Sequence, residues 1–137
     1  MKTLDLKKEL KAYYQPPRKP GILKIPSFQF VMIDGAIEKD QAPGISPGFQ
    51  QAAEAMYGIS YTLKFMLKKR ATDPVDYPVM ALEGLWWVED GVFDLNVKDN
   101  WFYTLMILQP KVITPALFAD GLAQVKKKRG DTPALSR

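Results

Sequence analysis

The chain contains neither cysteine nor histidine in its 137 residues. Their absence excludes disulfides, thiolate nucleophiles, the usual zinc sites and Ser-His-Asp triads. We therefore expect no metal and no cofactor, and any catalysis would depend on carboxylate, tyrosine or lysine side chains. Apolar runs fall short of the ~20 residues of a membrane helix, and residues 1–9 lack the apolar stretch of a secretory signal. These features predict a cytoplasmic protein without a membrane partner.

Basic residues only slightly outnumber acidic residues. The chain has 19 Lys and Arg residues against 15 Asp and Glu, a net charge of +4. Its basic clusters, residues 68–70 and 126–129, fall where helices are predicted to end, and cations interact favourably with that end of the helix dipole. Their position favours a helix-end role over nucleic-acid contact, so we expect no nucleic-acid partner.

The order of predicted elements is a helical arm followed by a βαββα unit. The length and the 47% hydrophobic content suit one domain. Helices are predicted from apolar spacing and capping residues, and strands from β-rich runs between Pro, Gly and Asp. The helices cover residues 4–14, from Ser46-Pro47 to about Leu67, and from Thr114-Pro115 to the second basic cluster. The strands cover 22–25 with 28–33, then 79–88 and 101–109, the last two forming a hairpin.

This order predicts the α+β class, as a single βαββ repeat with a leading helical arm and a C-terminal helix. The antiparallel sheet would carry helices on one face. Within one domain of residues 1–137, the arm is residues 1–20, the βαββα unit residues 21–130 and the tail residues 131–137. The other face of the sheet is expected to have no cover within the chain.

Alternation along residues 82–89 divides the third strand into two sides. Glu83, Trp87 and Glu89 fall on one side, while Gly84 and Trp86 fall on the other. Burying an unpaired carboxylate under a helix is costly, so the side with the carboxylates should face away from the helices. Glu83 and Trp87 therefore become candidates for a ligand-binding face.

The predicted ligand-binding residues are Glu83, Trp87, Trp101, Tyr103 and Tyr61. Flat aromatic side chains and a carboxylate suit a small aromatic or cationic molecule. Trp101 and Tyr103 share one side of their strand and could belong to the groove or to the core. Tyr61 lies beside the apolar stripe of the main helix, a position that favours a boundary residue over a functional one, and Glu83 could instead pair with a surface lysine.

Several segments together resemble the GyrI-like small-molecule-binding domain family, particularly stand-alone bacterial members related to cyclopropanoid cyclopropyl hydrolases. The segments are KELK (8–11), FVMIDG (30–35), YGISYTLKF (57–65), LEGLWW (82–87) and Gln109-Pro110. The resemblance implies two βαββ repeats whose joined sheets form an aromatic groove with a carboxylate. It also implies that this groove binds drug-like, often cationic molecules. The chain matches only the N-terminal repeat, and no helix-turn-helix module precedes it, so a fused DNA-binding sensor is not expected.

Three functions remain open from the sequence. The first is binding of small hydrophobic, aromatic or cationic molecules in a groove on the sheet face, completed by a homodimer that replaces the second repeat. The alternative is a hydrolase that opens cyclopropane rings of electrophilic natural products, in which a carboxylate directs water. No catalytic residue is assigned, because the resemblance places most of that chemistry in the second repeat. A protein-interaction domain that uses the same face is a third possibility.

Overall fold

The computed structural model describes residues 1–37, 46–89 and 101–129. The elements in these ranges are strands of two to eight residues and helices of four to 23 residues. In chain order they are β1 (Lys2–Thr3), α1 (Leu6–Glu9), α2 (Lys11–Tyr14), β2 (Gln29–Ala36), α3 (Pro47–Lys69), β3 (Val75–Asp76), β4 (Glu83–Trp87), β5 (Phe102–Gln109) and α4 (Pro115–Arg129).

A three-stranded antiparallel sheet with the order β2-β5-β4 forms the centre of the molecule. Both neighbours pair with β5, in registers that bring Ala36 and Trp87 opposite Phe102. The sheet and its helices confirm the predicted α+β class. The pairing of β4 with β5 also confirms the hairpin, although the predicted tail residues and most of the hairpin loop lie outside the described residues.

The long helix α3 covers one face of this sheet. Its inward side chains, including Met56, Ile59 and Leu63, are buried in the same core as Val31 and Ile107 of the strands. Ser46 caps the helix because its Oγ accepts a hydrogen bond from the Phe49 N–H at 3.2 Å. The predicted start of this helix is confirmed, and the basic residues 68–70 lie at its end as expected.

Helix α4 packs against α3. A methyl group at Gly121 would lie 2.7 Å from Leu63 Cδ2, so the close approach of the two helices requires glycine there. Thr114 Oγ1 accepts a hydrogen bond from the Leu117 N–H at 3.2 Å, which is the cap predicted from Thr114-Pro115. None of the helices in the described part of the chain is long and apolar enough to cross a bilayer.

The first strand of the predicted unit differs in extent. Residues 22–25 do not pair, and β2 begins at Gln29 and continues through Asp34-Gly35, beyond the predicted end of the strand at Ile33. Asp34 stays in the strand because Thr104, opposite it on β5, donates a hydrogen bond to Asp34 Oδ1 at 2.5 Å. A cross-strand partner thus outweighs the turn preference of Asp-Gly.

The N-terminal arm also differs from its prediction. The single helix expected over residues 4–14 is interrupted at Leu10, which ends α1 and begins α2. Strand β1 pairs in parallel with β3, and the Leu4 N–H donates to the Asp76 carbonyl at 2.8 Å. The arm is therefore attached to the segment that follows α3, a contact that no local pattern indicated.

Candidate functional site

The two faces of the three-stranded sheet have different environments. The covered face, which points towards α3, carries Val31, Ile33 and Gly35 of β2, Gly84 and Trp86 of β4, and Tyr103, Leu105 and Ile107 of β5. The open face carries Phe30, Met32 and Asp34 of β2, Glu83, Leu85 and Trp87 of β4, and Phe102, Thr104 and Met106 of β5. Glu83 and Trp87 thus lie on the side predicted from the alternation of β4.

Glu83 receives a hydrogen bond from the N-terminal arm. The Tyr14 hydroxyl donates to Glu83 Oε2 at 2.9 Å, and both side chains are half-buried. Burial, together with the bond to Glu83 and its charge, raises the pKa of Tyr14 above its ordinary value of 10.0. The phenol therefore stays protonated at neutral pH and holds the carboxylate in place. The partner of Glu83 is a phenol rather than the lysine considered from the sequence.

Beyond Glu83, the part of the open face that β4 contributes is apolar and accessible. Leu85 is 57% exposed and Trp87 is 39% exposed. The Trp87 ring stacks on Phe102 with a centroid distance of 6.1 Å and an interplanar angle of 22°. The face therefore offers an aromatic platform at one end of β4 and a carboxylate at the other. Asp34 provides a second carboxylate, which also accepts its hydrogen bond from a hydroxyl.

Trp101 and Tyr103 lie on the covered side, which fits the core alternative for these residues. They are 7% and 2% exposed, respectively. Tyr103 meets Phe49 of α3 edge-on at 5.3 Å, and Trp86 lies within 5.8 Å of both Trp101 and Tyr103. We call these four residues the aromatic cluster. Phe102 points to the open face, so its chain neighbours Trp101 and Tyr103 point towards α3. They therefore do not share a surface with Glu83.

Tyr61 lies on a third surface. It is 48% exposed on the outward side of α3 and stacks on Phe65 at 6.4 Å. The sheet and the helix separate it from the open face, so a ligand on Glu83 could not touch Tyr61 of the same chain. Of the five predicted residues, only Glu83 and Trp87 lie on the open face, whereas Trp101 and Tyr103 meet in the aromatic cluster.

The residue that sequence analysis missed is Tyr14. Tyr13 and Tyr14 sit side by side before Pro16-Pro17, and the pattern indicates only that one of them is apolar-facing. Tyr13 meets Phe28 edge-on at 5.4 Å, whereas Tyr14 reaches a residue 69 positions away. No local spacing predicts such a contact, because it depends on where the arm docks.

A cavity of about 490 Å³ lies between the arm and the end of the sheet. Its lining is mostly apolar and includes Leu6, Leu10, Phe28, Leu108 and Gln109. Gln109 is buried and donates through Nε2 to Ser60 Oγ at 3.2 Å, which ties β5 to α3. The arm thus bounds the open face at one end and leaves an apolar space beside it.

Within residues 1–37, 46–89 and 101–129, no three acidic side chains lie close enough together to hold a metal ion. Asp76 has two lysine partners. Lys64 Nζ donates to Asp76 Oδ1 at 2.8 Å, and Lys68 lies 3.6 Å from the other oxygen. This cluster joins α3 to β3.

No family model and no curated protein matches the chain. Three solved structures from Listeria innocua do. An uncharacterised conserved protein shares 34% identity with a TM-score of 0.80, and the match covers 98% of this chain and 66% of that protein. A protein described as a hydrolase shares 33% identity with a TM-score of 0.78, over 99% of this chain and 66% of its own length.

The third structure, also described as a hydrolase, shares 31% identity with a TM-score of 0.73. The match covers 98% of this chain and 67% of that one. The chain therefore belongs to the same protein family as these Listeria innocua proteins. It spans about two thirds of their length.

Proposed function

We propose that the open face binds small, flat molecules that are hydrophobic, aromatic or cationic. The observation that carries the proposal is the accessible position of Trp87, stacked on Phe102, on the same face as the Glu83 carboxylate. An aromatic ring attracts a flat ligand by contact and a cation through its π face, while a carboxylate adds charge. The resemblance to GyrI-like domains, which bind drug-like cations, supports the same proposal.

The spacing along β4 limits the size of the ligand. Trp87 lies four positions after Glu83, which corresponds to about 13 Å along an extended strand. A ligand that contacts both residues is therefore elongated, such as a molecule of several fused rings. A smaller ligand would use either the aromatic platform or the carboxylate.

Ethidium, a flat aromatic cation, is a suitable probe, with its uncharged phenanthridine ring system for comparison. Cation–π contacts contribute about 0.5–2 kcal/mol, so Trp87→Ala should weaken ethidium binding by roughly 2- to 30-fold in calorimetry. Glu83→Gln should weaken ethidium more than the neutral analogue. Tyr61→Ala is the matched control, because it removes an equally exposed aromatic ring from α3. Equal affinities for wild type and Trp87→Ala would contradict the proposal.

The second candidate function is hydrolysis. Two Listeria innocua relatives are described as hydrolases, and Glu83 is held by Tyr14 beside the apolar open face. In this reaction Glu83 takes a proton from water as the water oxygen attacks an electrophilic cyclopropane carbon. The ring carbon–carbon bond breaks, and its electron pair passes to the conjugated acceptor of the substrate, which then gains a proton. The cyclopropane substrate is suggested by the family resemblance.

Turnover separates the two candidates. Binding alone predicts a stoichiometric complex with an activated cyclopropane compound and no product. Multiple turnover that Glu83→Gln abolishes and Asp34→Asn leaves intact would establish the hydrolase. Asp34 is the matched control, because it is the other carboxylate on the open face.

A further inference from the structure

The outward side of α3 carries an aromatic row with an acid at one end and a base at the other. Tyr57, Tyr61 and Phe65 are 40%, 48% and 43% exposed, respectively. Each lies four positions after the one before it, so the three occupy one side of the helix. Glu54 lies before this row and Lys69 after it, both exposed. We call these five residues the α3 stripe. Adjacent large apolar side chains on a surface mark an interaction site more often than scattered ones do.

The stripe is one wall of a groove. Helix α4 forms the other wall with Leu117, Gln124 and Lys128, and the groove has a volume of about 1090 Å³. The stripe itself is ordered by its own contacts. Tyr61 stacks on Phe65 with an interplanar angle of 23°, and Lys69 Nζ lies 5.5 Å from the centre of the Phe65 ring. These contacts hold the rings of Tyr61 and Phe65 in place.

We propose that a second copy of this chain docks on the α3 stripe, with the two α3 helices antiparallel and a two-fold axis passing close to Tyr61. In a two-fold interface the same patch faces itself, so its two ends must complement each other. The stripe meets this condition because its charges have opposite signs at opposite ends. This surface is separate from the proposed ligand site, which stays accessible in the dimer.

The axial spacing agrees with that arrangement. At about 1.5 Å per residue, Tyr57 and Phe65 lie about 6 Å on either side of Tyr61. An antiparallel copy therefore places Tyr57 against the partner's Phe65. Glu54 lies about 10 Å before Tyr61 and Lys69 about 12 Å after it, so each Glu54 comes within reach of the partner's Lys69. Half-buried Gly58 beside the stripe leaves room for an opposing ring.

The open face is less suited to self-pairing. Its ionisable side chains in the described residues are Asp34 and Glu83, both acidic. A two-fold contact through this face would bring like charges together, which costs free energy in an apolar interface. The homodimer predicted from the sequence is a different arrangement, in which the partner takes the place of the second repeat and completes a groove on this face. The α3 stripe is favoured because Glu54 and Lys69 carry unlike charges, although Arg70 and Lys128 also line the groove and add basic charge.

Light scattering during size-exclusion chromatography tests the dimer at tens of micromolar protein. Wild type should elute as a dimer. Tyr61→Glu, which places two carboxylates beside the axis, should give a monomer with unchanged helix content by circular dichroism. Leu85→Glu is the matched control on the open face, and it should leave the dimer intact. A monomeric wild type, or dissociation by Leu85→Glu and not by Tyr61→Glu, would overturn the proposal.

A charge exchange tests the antiparallel orientation. Glu54→Lys and Lys69→Glu should each raise the dimer dissociation constant by about tenfold, because each pair occurs twice and becomes repulsive. The double variant should return to within about threefold of wild type, since its charges are again opposite. Additive weakening in the double variant would show that these two residues do not meet, and the antiparallel model would be wrong.

Cross-linking gives a second measurement that does not depend on affinity. The chain has no cysteine, so a single Tyr61→Cys substitution introduces one thiol per chain. Because the axis passes close to this position, mild oxidation should give a covalent dimer. Leu85→Cys should stay monomeric on a denaturing gel. If the groove instead receives an acidic segment of another protein, Tyr61→Cys will not cross-link, and that result would overturn the second-copy proposal.

Discussion

Trp86 and Trp87 are neighbours in the chain, yet they belong to surfaces with different roles. Trp86 points towards α3 and packs in the aromatic cluster, 5.6 Å from the Phe49 ring. Trp87 points to the open face and keeps 39% of its surface exposed. The strand alternates direction at every residue, so identical side chains separate into a structural and an accessible set. Residue type alone therefore says little about which aromatic residues are available to a ligand.

The polar groups follow the same division. On the covered face, Gln109 donates to Ser60 of α3 and so helps to join the sheet to the helix. On the open face, Asp34 and Glu83 accept hydrogen bonds from Thr104 and Tyr14. Carboxylates held by hydroxyls keep their charge available, because a hydroxyl does not neutralise it. This arrangement is the basis of our proposal that the open face binds a cation.

The largest expected difference is between the two tryptophans. Trp86→Ala removes a half-buried side chain packed against three aromatic rings and should lower the free energy of unfolding by about 3 kcal/mol, the low end of the range for a buried tryptophan. Trp87→Ala should lower it by less than about 1 kcal/mol, because the side chain is partly exposed. Urea unfolding measures both. A larger loss for Trp87→Ala would reverse the assignment of the two faces.

A glycine on the covered face should give the next largest effect. A methyl group at Gly35 would lie 2.3 Å from the hydroxyl oxygen of buried Tyr103, which is opposite it on β5. Gly35→Ala should therefore destabilise the protein by about 1–3 kcal/mol through overpacking. Gly21→Ala is the matched control, since nothing lies within 4 Å of its added methyl group. Thermal unfolding should show a lower midpoint for the first variant and little change for the second.

The sequence predicted the parts of the fold that depend on local signals. Ser46-Pro47 and Thr114-Pro115 cap their helices as expected, and alternation along β4 predicted the sides of Glu83 and Trp87. These features follow from capping chemistry and from the two-residue period of a strand.

What escaped prediction depends on contacts between distant residues. The β1–β3 pair and the Tyr14–Glu83 hydrogen bond both arise from the docking of the arm. Tyr61 is among the predicted site residues because it is aromatic. The packing of α3 places it on the outward side of that helix, away from the open face. The period of a helix predicts which of its residues are exposed. It does not predict which other parts of the folded molecule lie next to those residues.

Removing the Tyr14 hydroxyl should have a smaller effect. Tyr14→Phe deletes the hydrogen bond to Glu83 and should lower the free energy of unfolding by about 0.5–1.5 kcal/mol. It should also weaken ethidium binding less than Glu83→Gln does, because Tyr14 positions the carboxylate and carries no charge. Calorimetry on both variants checks this order. If Tyr14→Phe weakened ethidium binding more than Glu83→Gln does, the Tyr14 phenol would have to contact the ligand itself.

The smallest expected effect concerns Asp76, whose partners are lysines rather than hydroxyls. The hydrogen bond and charge of Lys64, with the charge of Lys68, hold the pKa of Asp76 below its ordinary value of 3.8. Because the folded-state pKa is the lower one, this stabilisation is present above about pH 4 and is lost as the pH falls through the folded value. Wild type and Asp76→Asn should differ modestly at pH 7 and converge in strong acid. A constant difference across that range would show that the ion pair does not contribute.

Amide chemical shifts during an ethidium titration test the central claim most directly. If the open face is the ligand site, the largest shifts should fall on Glu83, Leu85 and Trp87 of β4 and on Phe102 of β5. They should saturate with the affinity measured by calorimetry, and the amides of the α3 stripe should change little. Shifts concentrated on Tyr57, Tyr61 and Phe65 would place the ligand in the groove between α3 and α4. That result would contradict the assignment of the site to the open face.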